Sequence, residues 1–145
     1  MAMDQLFPLL RINSYQITSS ATTEYNCIAW AACETDRWWW PDPLGISYWP
    51  NNSPRAETLE AFIQTFQASG YQTCDTSDLE PGLEKIAIFT KLTGKPTHIA
   101  RQRSNGRWTS KIGELEDIEH ELESLVGDTY GVIAQIMRRA SIGPE

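Results

Sequence analysis

The sequence predicts one α+β domain spanning residues 1–145, with a short cysteine-bearing helix, a longer helix, and then a small antiparallel sheet. Three observations predict it. Thr22-Thr23-Glu24-Tyr25-Asn26-Cys27-Ile28-Ala29-Trp30-Ala31-Ala32 runs from polar cap formers into small and apolar helix formers, so Cys27 stands at a helix start. Leu59, Phe62, Ile63 and Phe66 recur at i, i+3, i+4 and i+7. Beyond Tyr71 the pattern becomes that of strands, with Ser104-Asn105-Gly106 as a hairpin signal between two extended runs.

Taken in order, residues 1–21 read as an irregular lead-in with a short strand near Tyr15-Gln16-Ile17. The Cys27 helix runs to about Cys33 or Glu34. Cys33 lies about 240° round from Cys27, which assigns it to the core. Residues 37–50 hold three prolines and a glycine, so they form a loop, and it carries Trp38, Trp39, Trp40, Tyr48 and Trp49. Ser53 as N-cap, Pro54 at the first helical position and Gly70 as the stop predict a helix over 53–70. Strands are expected at 71–74, 84–91, 97–102, 107–111 and 130–137. Leu115, Ile118, Leu122 and Leu125 predict an acidic helix over 114–125, and the tail is polar.

Composition narrows the function classes. A net charge of −7 argues against a nucleic-acid-binding surface, which would be basic. The N-terminus lacks a cationic lead and is interrupted by Pro8, no polybasic anchor is present, and no apolar run approaches a bilayer span. Three cysteines without a CxxC pair fit a reducing compartment and give neither a disulfide framework nor a metal site. No Gly-rich phosphate loop exists, so no cofactor is expected. The expectation is a soluble cytoplasmic protein without membrane or nucleic-acid partners, its oligomeric state left open. The run Glu114, Glu116, Asp117, Glu119, Glu121 and Glu123 reads as a solvated helix face, against which Arg101, Arg103 and Arg107 pair.

Chemistry gathers at Cys27 and His98. Unpaired N–H groups at a helix start favour a thiolate, the reactive form of cysteine. A cysteine nucleophile needs a base, usually histidine, oriented by a third polar group. His98 opens a strand. Its distance from Cys27 decides between a dyad and two packing residues, and hydrogen-bond reach is the expectation. A three-residue turn at 104–106 pairs Ala100 with Ser110 and puts Ser110 on the His98 face; a two-residue turn puts it on the opposite face. The three-residue turn is the prediction, with Glu114 and His120 as fallback orienters, His120 being expected at the surface. The aromatic loop either wraps the core or lines a groove for a peptide, a sugar or a partner.

Tyr25-Asn26-Cys27-Ile28-Ala29-Trp30-Ala31 and Thr97-His98-Ile99-Ala100 followed by Asn105-Gly106-Arg107-Trp108 resemble the cysteine and histidine segments of the NlpC/P60 and CHAP amidases. The wider set, including Asp36-Arg37-Trp38-Trp39-Trp40-Pro41, Tyr48-Trp49-Pro50 and Arg107-Trp108-Thr109-Ser110-Lys111-Ile112-Gly113-Glu114, is similar to an uncharacterised family of small bacterial proteins. The amidase resemblance implies a papain-like fold, a Cys27–His98 dyad with a third member at the position of Ser110, and cleavage of peptide or isopeptide bonds. Trp38, Trp39, Trp40, Tyr48 and Trp49 would then frame the cleft for a peptide-like substrate. The other reading is an inactive descendant of that fold, an adaptor or immunity-type module that binds a partner protein through the same loop.

Overall fold

Ile86-Ala87-Ile88-Phe89 is an apolar run with no alternation, so a strand made of it must be covered on both faces. In the computed structural model, which describes residues 3–141, strand β3 (Leu83–Thr90) is buried from Lys85 to Thr90. It lies inside a seven-stranded sheet of order β1-β6-β5-β4-β3-β7-β2. The other strands are β1 (Gln16–Ser19), β2 (Gln72–Cys74), β4 (Pro96–Gln102), β5 (Trp108–Lys111), β6 (Asp117–His120) and β7 (Val132–Ala140). All strand pairings within this sheet are antiparallel.

Each face buries its own cluster. On one, Ile86, Ile88, Ile99 and Met137 meet α2 (Cys27–Ala31), α3 (Leu59–Gln67) and the aromatic loop. On the other, Ala87, Phe89, Ala100, Trp108, Ile118 and Ile136 meet Met3 of α1 (Met3–Leu6), then Phe7, Leu10, Leu122 and Leu125. The lead-in is therefore a structural layer, with a short helix and a 3-10 turn (Pro8–Arg11).

The papain-like, helix-plus-small-sheet fold is overturned. The molecule is mostly a seven-stranded antiparallel sheet with a few short helices. Two local causes stand out. The predicted helix at 114–125 is a turn, strand β6 and a 3-10 turn (Leu122–Leu125), because Asp117 to His120 pair with β5 and Asp117 to Glu119 also with β1. The apolar spacing that suggested a helix there is met by Ile118 pointing to one face of a strand and the leucines packing in a turn. The Cys27 helix stops after five residues in a Schellman turn, with Cys33 N–H on the Trp30 carbonyl at 3.0 Å and Glu34 N–H on the Ala29 carbonyl at 2.9 Å. This turn carries Cys33 out of the core and leaves it exposed.

Helix α3 also starts later than the sequence predicts. Thr58, not Ser53, is the N-cap, its hydroxyl accepting the Ala61 N–H at 3.1 Å. Residues 51–58 instead close over Trp49, whose indole N–H reaches the Pro54 carbonyl at 2.9 Å. The ends of the predicted domain, residues 1–2 and 142–145 of the polar tail, lie outside the described residues.

Candidate functional site

Asn26 sets the start of α2. Its Oδ1 accepts the N–H groups of Ala29 (3.2 Å) and Trp39 (3.1 Å), and its Nδ2 donates to the Trp39 carbonyl at 2.6 Å. One buried amide thus caps the helix and ties it to the aromatic loop. Cys27 follows at 6% exposure, packed in the cluster that covers Ile99. Burial pushes its thiol up to about 11. The N–H groups of Ile99, Ile28 and Cys27 and the Lys111 ammonium act on the sulfur in the opposite direction. Lys111 is itself wrapped by the carbonyls of Thr22 (2.8 Å), Leu115 (2.7 Å) and Gly113.

Strand register places the histidine. Phe89 pairs with His98, Ile88 with Ile99 and Ala87 with Ala100, so His98 shares the Phe89 face and Ile99 the α2 face. Strands β4 and β5 pair only at Arg101–Thr109 and Gln102–Trp108. Past those pairs His98 and Ser110 are joined through side chains instead, His98 Nε2 to Ser110 Oγ at 2.8 Å. Ser110 Oγ also meets His120 Nε2 at 2.7 Å, and His120 Nδ1 meets the Glu121 carbonyl at 2.7 Å. Tyr130 stacks on His98, rings 4.1 Å apart and 8° from parallel.

The direction of this chain follows from its end. A carbonyl only accepts, so His120 Nδ1 carries a hydrogen. Burial brings His120 down to about 4, so at neutral pH its Nε2 is bare and accepts the Ser110 hydroxyl hydrogen. Ser110 Oγ then accepts from His98 Nε2–H. Burial, and after it the charge of His120, hold His98 well below the ordinary histidine value, so it too is neutral. Its remaining lone pair lies on Nδ1, which is buried and has no hydrogen-bond partner.

The structure thus brings His98, Ser110 and His120 together, in the three-residue register: Arg103 N–H bonds the Arg107 carbonyl at 2.7 Å across the turn. Against the expectation of hydrogen-bond reach, it forms no hydrogen bond between Cys27 and His98, because the thiol packs on the α2 face with Ile99 and the imidazole on the Phe89 face. The sulfur instead faces the N–H of Ile99, the next residue. Glu114 is exposed, whereas His120, expected at the surface, is fully buried. The alternation Asp117, Ile118, Glu119, His120 was the signal that could have placed it inward with Ile118.

The loop aromatics divide. Trp39 and Trp49 are core, at 6% and 2% exposure, so they do not line an open groove. Trp38, Trp40 and Tyr48 are half-buried, with Trp40 Nε1 on Glu57 at 3.2 Å and Arg37 over the Tyr48 ring. Leu44 and Ile46 at the loop tip are 83% and 81% exposed.

Residues 16–138 match a family described as a domain of unknown function (DUF7689). The chain belongs to that family. The match runs from the start of β1 nearly to the end of β7, so Cys27 and the whole His98–Ser110–His120 chain fall inside the family domain. No curated protein and no solved structure matches the chain. The function of the family is unknown, and no likeness to the NlpC/P60 or CHAP amidases is found.

Proposed function

We propose that this DUF7689 domain is a cysteine-dependent hydrolase of peptide or isopeptide bonds, with Cys27 as nucleophile and His98 as base. The observation that carries the reading is the bare Nδ1 of His98. A buried acceptor without a partner costs on the order of 1–3 kcal/mol, and such groups are few in folded proteins. Here the chain through Ser110, His120 and the Glu121 carbonyl holds the opposite nitrogen and so presents Nδ1 as a base.

In this mechanism the resting pair is a neutral thiol and a neutral imidazole. The Cys27 proton moves to His98 Nδ1 as sulfur attacks the carbonyl carbon, and His98 then gives that proton to the leaving amine. The Cys27 backbone N–H takes the developing oxyanion. Water, deprotonated by His98, releases the acyl group from sulfur. Ser110 and His120 hold the imidazole and do not touch the substrate. At rest the thiol lies on the α2 face and the imidazole on the Phe89 face, so the transfer requires the unpaired stretch of β4 and β5 to open and let the two meet.

The test is alkylation of Cys27 by iodoacetamide at neutral pH, in a background with Cys33→Ser and Cys74→Ser. Replacing His98 with Ala or Gln should slow labelling at least about tenfold, the lower end for general-base action being near a hundredfold in turnover. Equal rates in variants whose tryptophan fluorescence is native would overturn the hydrolase reading. They would favour a non-catalytic domain that holds a partner protein through its aromatic loop. Two observations support that second reading: the burial of Cys27, and the fixed apolar tip of the loop. Asp42 accepts the N–H groups of Ile46 and Ser47 at 2.8 Å each, and Arg55 reaches the Asp42 carbonyl at 3.0 Å, so Leu44 and Ile46 are held out on a braced turn.

A further inference from the structure

The far end of α2 carries a cysteine in a setting unlike that of Cys27. Cys33 takes φ 65° at the Schellman position where glycine is usual, and its side chain is exposed. Two guanidiniums converge on its sulfur, Arg101 Nη1 at 3.5 Å and Arg139 Nη2 at 3.9 Å. Arg101 otherwise meets the Trp30 carbonyl at 3.0 Å and the face of the Trp30 indole at 4.0 Å, neither of which is an anion. Arg139 is held by Glu84 and the Ser69 carbonyl and lies over the Tyr71 ring at 4.4 Å. Tyr71 is 2% exposed, and its hydroxyl has no hydrogen-bond partner. That hydroxyl lies within electrostatic reach of Cys33, Arg101, Arg139 and Glu84. A cleft of about 380 Å³ also opens on Arg139, with Arg138 in its wall.

An accessible thiol, a guanidinium that meets no anion among the described residues, a second guanidinium and an unused buried O–H donor therefore share one place. Guanidinium N–H forks suit carboxylates. We propose that Cys33 is a thiolation site for low-molecular-mass disulfides that carry carboxylates. The Cys33 sulfur, having given its proton to solvent, attacks one sulfur of the disulfide. A protein–ligand S–S bond forms, the ligand S–S bond breaks, and one ligand half leaves as a thiolate that takes a proton from solvent. The small disulfide is the oxidant, and nothing else is consumed. Arg101 and Arg139 hold the carboxylates of the half that stays. Neither Cys27 nor the hydrolase reading enters this inference.

Two probes test it in the full chain with Cys74→Ser: oxidised glutathione, which carries carboxylates, and cystamine, which carries none and is cationic. Intact mass and peptide mapping give the initial rate at Cys33 for each, and the same ratio is measured in urea-unfolded protein as reference. The folded protein should favour oxidised glutathione by about tenfold over that reference, as focusing by fixed charges allows. Arg101→Gln, checked for native fluorescence, should bring the ratio down to the unfolded value. A folded-state ratio no greater than in urea, a preference that survives Arg101→Gln, or a Cys33 that stays unmodified would overturn the proposal.

Discussion

At the scale of single residues, the two histidines make acid the weak side of this molecule. His120 falls from an ordinary 6.5 to about 4 through burial, and His98 moves in the same direction. Below 6.5 the unfolded chain takes up protons that the folded one refuses. The stability these residues supply is therefore fully present above 6.5 and is lost as pH falls towards 4. For His120 the difference amounts to about 3 kcal/mol. Asp117, its carboxyl raised chiefly by burial, acts with the opposite sign: its contribution is present below the unfolded carboxylate value and lost as pH rises through the folded one. The histidine part is isolated by comparing wild type with His120→Gln. Urea midpoints between pH 7 and pH 5 should fall more steeply in wild type, and parallel curves would show that His120 is not buried neutral. The same variant removes the group that fixes the Ser110 hydroxyl, so Cys27 labelling by iodoacetamide should lose part of its dependence on His98.

At the scale of elements, two joints carry more than their length suggests. Asn26 both caps α2 and satisfies the N–H and carbonyl of Trp39. Asn26→Ala removes the cap and strands two backbone groups next to Trp39, so a loss of about 2–4 kcal/mol is expected in urea unfolding. Thr58→Ala at the more exposed start of α3 removes only a cap and should cost about 1 kcal/mol in the same measurement. The second joint is the loop before β7, closed by Gly127 and Gly131, which exchange backbone hydrogen bonds of 3.0 and 2.8 Å. Gly131 has φ 85°, and a Cβ there would stand 2.0 Å from the Thr90 carbonyl oxygen. Gly131→Ala should destabilise by more than about 3 kcal/mol and free Tyr130 from its stack on His98, seen as a shifted His98 ring resonance.

At the scale of the whole molecule, the sheet separates two chemistries. The thiol belongs to the α2 face, and the histidine–serine–histidine chain belongs to the face covered by the N-terminal segment. Sampled by a neutral thiol reagent, Cys33 should react first, Cys74 next and Cys27 slowest, in the order of their exposure. A Cys27 rate that rises with subdenaturing urea would show that the unpaired stretch of β4 and β5 opens locally rather than with global unfolding.

Much of this was legible in the residues. The i, i+3, i+4 pattern of Leu59 to Phe66, the apolar run of β3 and the Asn-Gly turn each depend on neighbours a few positions away, and all three took the expected form. Ser110 on the His98 face followed from turn length alone. The sequence did not settle residues 114–125. Their leucine spacing satisfies a helix locally, and pairing with β5 on one side and, for Asp117–Glu119, with β1 about a hundred residues earlier on the other makes Asp117–His120 a strand. Pairing of His120 with Trp108 on β5 sets it beside Ser110 and completes the chain to His98. Residue types and local periods thus determined which groups could do chemistry and where most strands begin. Tertiary structure alone decided that the sheet has seven strands covered on both sides, that Cys33 is outside and Cys27 inside, and which nitrogen of His98 is left bare. Burial and long-range backbone pairing are properties of the assembled layers, and no short stretch of the chain contains them.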